Sequence, residues 1–383
     1  MKRLAMLLTP LLVLALIMGA VGCGGDEATP APTAKPTAAP TAAPTAAPTA
    51  APTTAPTAAP TAAPTATPSG GLPAIEPQTW KLAHSFPDAS AIGQTAIRFK
   101  ELIEEYTNGT IKVDIYPGGT LLGAQQVVEG LMTETIDVSV DSVYFQSSIA
   151  KYFNLVYMAG LWSSIDHADR VLKSDAWNDT SSELFAAKGI QYLGTIMTSF
   201  NSCYINNKVA ASSWEDLRDL KLALWGNVTP MGTAIGFRNV NINVAEAPTA
   251  LQQGTVDVAC WSMATIVPGK YWEIAPYAFV WAMGPASCSV LVTEAKWDSL
   301  PKEYQDLIQN QIVPECYEAA KASMMVMEEE YLVTASENFD FVAVATPAQL
   351  IELWDAMKDL PITAAYLNVG QPQILEVIDQ MRD

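Results

Sequence analysis

From Trp80 onward the apolar positions follow two periods that alternate along the chain. Trp80 to Ser85 reads as a strand, ended by the turn residues Phe86-Pro87-Asp88-Ala89-Ser90. Phe99, Leu102, Ile103 and Tyr106 then fall at i, i+3, i+4 and i+7, one buried stripe of a helix. Asn108-Gly109 stops that helix, because glycine adopts the left-handed conformation of a helix end without steric cost. Ile111, Val113 and Ile115 alternate with Lys112 and Asp114, the period of a strand, and Pro117-Gly118-Gly119 ends it. A helix over 124–133, with Val127, Val128 and Leu131 inward, leads to a third strand from Ile136 to Asp141. Strand and helix alternating at this spacing predict a parallel sheet with crossover helices.

The alternation continues in the second half. The pattern predicts helices over 167–171, 177–187, 229–235 and 247–253, and a short one over 214–217. Strands are expected over 190–194, 202–205, 221–225, 240–244, 256–259 and 289–292. Pro301 suits the first turn of a helix running from Lys302 to about Glu337, with a kink at Pro314. About 310 residues carry this pattern, enough for two domains. The expected fold is α/β: two lobes with a hinged cleft between them and a long C-terminal helix spanning both. Ligands bind outside the carboxyl ends of the strands in such sheets, and the lobes close around them. Residues 73–200 with parts of 285–383 are assigned to lobe I and 201–284 to the core of lobe II. The segment 285–383 supplies a returning strand, the spanning helix and the C-terminal helices.

The amino-terminal stretch follows neither period. Lys2 and Arg3 precede a mostly apolar run from Leu4 to Met18, and small residues lead to Ala20-Val21-Gly22-Cys23. That order describes a secretory signal over 1–22; a membrane span needs about 20 apolar residues, and this run is shorter. Cys23 after such a site resembles a bacterial lipobox cysteine, which implies cleavage before it and lipid on its thiol. An ordinary signal with an incidental cysteine is the alternative. Residues 23–72 are rich in Pro, Thr and Ala, with Pro-Thr-Ala-Ala repeats from Pro36 to Pro64. Such a segment buries too little surface to offset its ordering entropy, and its prolines favour an extended tether reaching on the order of 100 Å.

Charge narrows the partners. There are 40 acidic residues against 21 basic, a net charge of −19, which makes nucleic acid an unsuitable partner. Cys203, Cys260, Cys288 and Cys316 follow Cys23, and three pairings are open to them in an oxidising compartment. With no C-x-x-C pair and only His84 and His167, a structural zinc site is poorly supported, and no metal or cofactor is expected.

Several segments, in order, resemble one family. Glu105-Tyr106-Thr107-Asn108-Gly109-Thr110-Ile111-Lys112-Val113 and Tyr116-Pro117-Gly118-Gly119-Thr120-Leu121-Leu122-Gly123 are followed by Thr135-Ile136-Asp137 and Asp166-His167-Ala168. Trp214-Glu215-Asp216-Leu217-Arg218-Asp219-Leu220-Lys221, Gln253-Gly254-Thr255-Val256-Asp257 and Trp297-Asp298-Ser299-Leu300-Pro301 complete the set. Together they are similar to the solute receptors of TRAP (tripartite ATP-independent periplasmic) transporters, the DctP family. The resemblance implies a periplasmic-binding-protein-like fold and capture of a small molecule outside the cytoplasmic membrane. It also implies delivery to paired permease subunits driven by an ion gradient.

The departures from that family concern the ligand. Most members carry a carboxylate-clamping Arg where this chain has Ala223, after Lys221-Leu222. A second frequent Arg has no counterpart in Gly194-Thr195-Ile196-Met197, and the metal-binding Glu of the keto-acid receptors is replaced by Cys260, beside Trp261. Residues two apart share a face of a strand, so Trp225 points as Ala223 does and can fill the vacated space. An aromatic-walled cleft is therefore expected, suited to a solute with an apolar or ring portion rather than to a simple carboxylate. Its candidate residues are Phe86, Asp88, Asp141, Ser142, Tyr144, Met197, Phe200, Asn201, Ala223, Trp225, Asn227 and Trp261.

Two other classes remain to be set against this reading. Two histidines, no G-x-S-x-G and no phosphate loop leave little for catalysis, so an enzyme is disfavoured. A sensor lipoprotein feeding a chemoreceptor or kinase keeps the same fold and changes the output.

Overall fold

The computed structural model describes residues 71–158, 160–224, 229–242, 246–361, 363–364 and 372–381. The leader, Cys23, nearly all of the Pro/Thr/Ala stretch, Trp225 and Asn227 lie outside them. Strand β1 (Gln78–Ala83), helix α1 (Ala91–Tyr106), β2 (Ile111–Tyr116), α2 (Val127–Met132) and β3 (Val138–Ser142) form the expected alternation. β1 pairs in parallel with both β2 and β3. Helices α3 (Val143–Gln146), α4 (Ile165–Lys173) and α5 (Asp175–Ala186) lead into β4 (Ile190–Asn206). The second lobe repeats the plan with β5 (Lys221–Leu224), α6 (Thr229–Ile235), β6 (Arg238–Asn241), α7 (Ala247–Gln252), β7 (Val258–Ser262) and α8 (Met263–Ile266). There β5 is parallel to β6 and β7. β8 (Tyr277–Thr293) then returns, followed by α9 (Glu294–Asp298), α10 (Lys302–Leu307), α11 (Val313–Asn338), β9 (Phe341–Val344), α12 (Pro347–Met357) and α13 (Pro372–Gln380).

Among the described residues the strands make one sheet, ordered β2-β1-β3-β8-β4-β7-β5-β6 with β9 beside β8. β4 and β8 are antiparallel and run through both lobes. The end of β8 pairs with β3 in lobe I, while the end of β4 pairs with β7 in lobe II. This corrects the expectation of separate short strands over 190–194 and 202–205, and of a strand confined to 289–292. The cause is local. Thr195, Thr198 and Ser199 are buried polar residues inside β4, so no two-residue period is visible there. In β8 the Gly284-Pro285 step does not end the strand. It is instead a widened bulge: Phe200 on β4 stands against Met283, Gly284 and Pro285, between the pairs Ser199↔Ala286 and Asn201↔Ala282. Gly284 has φ +132°, and a Cβ there would lie 2.3 Å from the Val156 carbonyl oxygen and 2.7 Å from Trp162 Cδ1.

The spanning helix also differs from the simple expectation. Between α10 and α11 the residues Ile308–Ile312 form a π-helical turn, and Pro314 sits in the first turn after it. Widening the helix just before proline makes room for the ring, whose missing N–H interrupts the helical hydrogen-bond ladder there. Packing is double-sided in both lobes. In lobe I, α1 and the start of α11 cover Trp80, Leu82, Val140 and Val290, while Phe153, Trp177 and Phe185 pack on the other side. In lobe II one core holds Tyr204, Trp214 and Trp281, and the other Cys203, Leu251 and Ala259. All four described cysteines are buried free thiols, so none of the three pairings forms. Cys203 pairs across to Trp261 and Tyr204 to Cys260, which puts the two thiols on opposite faces. Burial pushes the Cys316 thiol up to about 12.

Candidate functional site

The carboxyl end of a parallel strand frees the backbone of the next loop, and it is where ligands meet open α/β sheets. In lobe I these ends belong to β1 and β3. The Asp141 carboxylate, fully buried, joins them: Oδ2 accepts from the Ser85 N–H at 3.0 Å and the Ser85 hydroxyl at 2.6 Å, and Oδ1 accepts from the Ser142 N–H at 2.7 Å. Burial pushes Asp141 up to about 6, against the downward pull of those donors. The loop beyond Ser85 rests on α1. Ser90 caps that helix by accepting from the Gly93 N–H at 3.0 Å. Gly93 is required because a Cβ would lie 2.4 Å from the Pro87 carbonyl oxygen. Asp88 is thereby held at the surface, 3.6 Å from Nε2 of the fully buried His84. Burial lowers the His84 ring, and the Asp88 charge opposes that.

An aromatic cluster covers the same tip. Phe86 lies 6.3 Å from Phe145, Tyr144 5.3 Å from Phe145, and Tyr144 6.2 Å from Tyr157, measured between ring centroids. The Tyr157 hydroxyl is 3.0 Å from Ser142 Oγ, and burial pushes its pKa up to about 12. Phe86 and Tyr144 are half-buried. Sequence reasoning missed Phe145 and Tyr157. Phe145 was open to discovery as the neighbour of Tyr144 on the same short helix; Tyr157 carries no such signal.

Lobe II presents a different tip. Trp261, near the end of β7, packs against Tyr271 with centroids 4.8 Å apart. Ala223 on β5 is fully buried in the same core, with Cys203, Leu251 and Ala259. Where β4 passes between the lobes, Met197 and Phe200 are packed into the lobe I core rather than standing at a strand end. Asn201 is half-buried beside them. Its N–H and Nδ2 donate to Glu328 at 3.1 and 3.0 Å, and Glu328, only 7% exposed, also accepts from Ser199 Oγ and the Phe200 N–H. Glu328 was not foreseen.

The structure thus gathers Phe86, Asp88, Asp141, Ser142 and Tyr144 at one tip and Ala223 and Trp261 at the other, with Asn201 on the crossing strand. Two surface depressions, of about 280 and about 310 Å³, lie elsewhere, beside Asp137, Thr293 and Lys296 and beside Leu131, Lys188 and Glu294. They adjoin the amino ends of the lobe I strands, the wrong end for an open sheet. Among the described residues no group of three His, Cys, Asp or Glu could hold a metal ion. No described helix is long and apolar enough to cross a membrane.

Comparison with known proteins gives this geometry a family. Residues 82–362 match the family described as bacterial extracellular solute-binding protein, family 7 (DctP). The chain is 24% identical over 217 residues to the 2,3-diketo-L-gulonate-binding periplasmic protein of Escherichia coli, a match spanning 56% of this chain and 65% of that protein. A TRAP periplasmic solute-binding protein from Ochrobactrum anthropi, with its C-terminus bound in the ligand-binding pocket, has the same fold: TM-score 0.72, 23% identity, 80% of this chain and 95% of that one. The sugar-acid-binding protein of Advenella mimigardefordensis, in complex with galactonate, gives TM-score 0.68 at 19% identity over 81% of this chain and 100% of that one. With the family match covering most of the chain and the two-lobed fold shared with its solved members, the chain belongs to family 7 of the bacterial extracellular solute-binding proteins, receptors rather than enzymes.

Proposed function

We propose that this receptor closes its lobes on a small organic solute and hands it to the membrane subunits of a TRAP-type transporter. Lobe I is residues 73–200 with the returning segment, lobe II is built on 201–284, and lipid on Cys23 with the Pro/Thr/Ala stretch tethers both to the membrane surface. The observation that carries the reading is the pair of strand tips, one lined by Phe86, Tyr144, Phe145 and Tyr157 and the other by Trp261 and Tyr271. Ring faces of this kind bury an apolar or ring portion of a ligand, while a few polar groups orient it. With Ala223 in place of the clamping Arg, a simple carboxylate gains no bidentate partner there.

Native mass spectrometry of the full-length chain from cells grown in rich medium identifies the solute that copurifies. Titrating that compound against tryptophan fluorescence, in the wild type and in Trp261→Phe, is expected to give a quench that the substitution reduces. An identical quench and affinity in both chains removes Trp261 from the site. Cys23→Ser is expected to release the protein from the membrane fraction, and retention there overturns the anchor.

A further inference from the structure

The widened bulge between the lobes leaves β4 with backbone donors that the ladder does not use, and Glu328 on α11 collects them. One oxygen, Oε1, accepts from Ser199 Oγ at 3.0 Å, the Phe200 N–H at 2.9 Å and the Asn201 N–H at 3.1 Å. The other, Oε2, accepts from Asn201 Nδ2 at 3.0 Å. A carboxylate has no proton to donate, so the amide group turned toward Oε2 is the NH2, and the Asn201 carbonyl Oδ1 faces the other way. Asn201 stands one residue before the pair Ser202↔Ser262, just past the carboxyl end of β7, and opposite Ala282, which is also half-buried. We propose that Glu328 is a positioning residue that holds Asn201 as a fixed hydrogen-bond acceptor in the cleft, so that the cargo carries a hydroxyl or N–H donor at that point. The proposal rests on the cleft reading above and deepens it.

The consequence is a reversal of sign at the crossing strand. A guanidinium there rewards a solute that accepts hydrogen bonds. A carbonyl backed by a buried carboxylate rewards one that donates them, and a cargo carboxylate meets no donor from Asn201. Glu328→Gln tests the device without touching the cleft wall. The Gln amide keeps its carbonyl on Ser199, Phe200 and Asn201 and turns its NH2 toward Asn201. Two NH2 groups then face each other, and Asn201 relieves the conflict by rotating about its last torsion, which presents its NH2 to the cleft.

Selective 15N-asparagine labelling of the full-length chain reads the first half, with Asn201→Asp assigning the resonance. The Asn201 side-chain NH2 is expected to exchange slowly with solvent in the wild type and about tenfold faster in Glu328→Gln, the worth of one charge-assisted hydrogen bond. Equal rates in the two chains overturn the positioning role. The second half uses D-galactonate, rich in hydroxyl donors, and succinate, which has none at neutral pH, each followed by tryptophan fluorescence. Comparing each probe with itself across the two chains cancels the contribution of the aromatic walls. Galactonate is expected to weaken about tenfold in Glu328→Gln while succinate does not, and Glu328→Gln combined with Asn201→Asp, which restores an outward acceptor, is expected to recover it. Galactonate that binds the wild type and Glu328→Gln equally overturns the role of Asn201 and leaves the cleft standing. If neither probe quenches the wild type, the copurified solute is titrated into both chains instead, and equal affinity in the two overturns the role of Asn201; if that solute also fails to quench the wild type, the cleft reading falls.

Discussion

At the tip of lobe I, Asp141 ties Ser85 and Ser142 together, His84 lies buried under Asp88, and Tyr157 reaches Ser142. At the tip of lobe II the matching positions are Ala223 and Trp261, packed among Cys203, Leu251 and Ala259. The polar groups of lobe I are largely consumed in holding its own loops, and the described part of lobe II offers apolar and aromatic surface instead. Among the described residues neither tip supplies a strong charged clamp, and on the proposed reading polar selection of the solute falls to the crossing strand. Each tip is also specialised differently in stability. Lobe I stores a buried carboxylate whose state depends on pH, and lobe II stores close packing.

The sharpest way to break this comparison is Ala223→Arg. If the lobe II tip is packed core, the new guanidinium is buried without a partner, and stability falls by about 4 kcal/mol, measured by urea unfolding of the full-length chain. An unchanged midpoint together with new succinate binding would show instead that the tip is an open clamp site that has merely lost its arginine. The lobe I tip is tested by Asp141→Asn across pH. The folded-state pKa, about 6, lies above the ordinary aspartate value of 3.8, so the native state holds this proton more tightly than the unfolded chain does. Its contribution is fully present below pH 3.8 and is lost as pH rises through about 6. Wild type relative to Asp141→Asn is expected to lose about 2 kcal/mol between pH 4 and 7. His84 carries the opposite sign, because its lowered pKa removes stability as pH falls below 6.5, but it is present in both chains and cancels in the difference. A flat difference curve would mean that Asp141 is solvated and free to meet a ligand.

The same contrast explains what could be read from the chain. Lobe I was legible because local periods decide it: of the predicted stripe Phe99, Leu102, Ile103 and Tyr106, the first three are at most 1% exposed and Tyr106 is half-buried. The crossing strands were not, because register shifts between Tyr192 and Gly194 and between Met197 and Ser199 defeat any count of alternate residues. That is why Met197 and Phe200 read as cleft residues and lie in the core. Glu328 was invisible for a further reason. It begins the run Glu328-Glu329-Glu330, three successive carboxylates that local pattern does not tell apart, and only the unpaired donors of a distant bulge make one of the three a buried acceptor. The core that surrounds Ala223 came from contacts among β4, β5 and β7 that no local pattern encodes.

The smallest expected effect bears on how firmly the lobe I tip is tied. Tyr157→Phe deletes one hydroxyl, the partner of Ser142 Oγ at 3.0 Å, and leaves the ring against Tyr144 in place. Ser142 also accepts from the Tyr144 N–H, so its own oxygen keeps a partner, and the cost is about 1 kcal/mol. That loss should appear in the unfolding midpoint with no change in its denaturant slope, because the surface exposed on unfolding is unaffected. If the copurified solute also binds more weakly to Tyr157→Phe by more than the change in stability accounts for, the hydroxyl faces the cargo as well as Ser142. The lobe I tip would then offer a polar contact of its own, and the division of labour between the tips and the crossing strand would have to be redrawn.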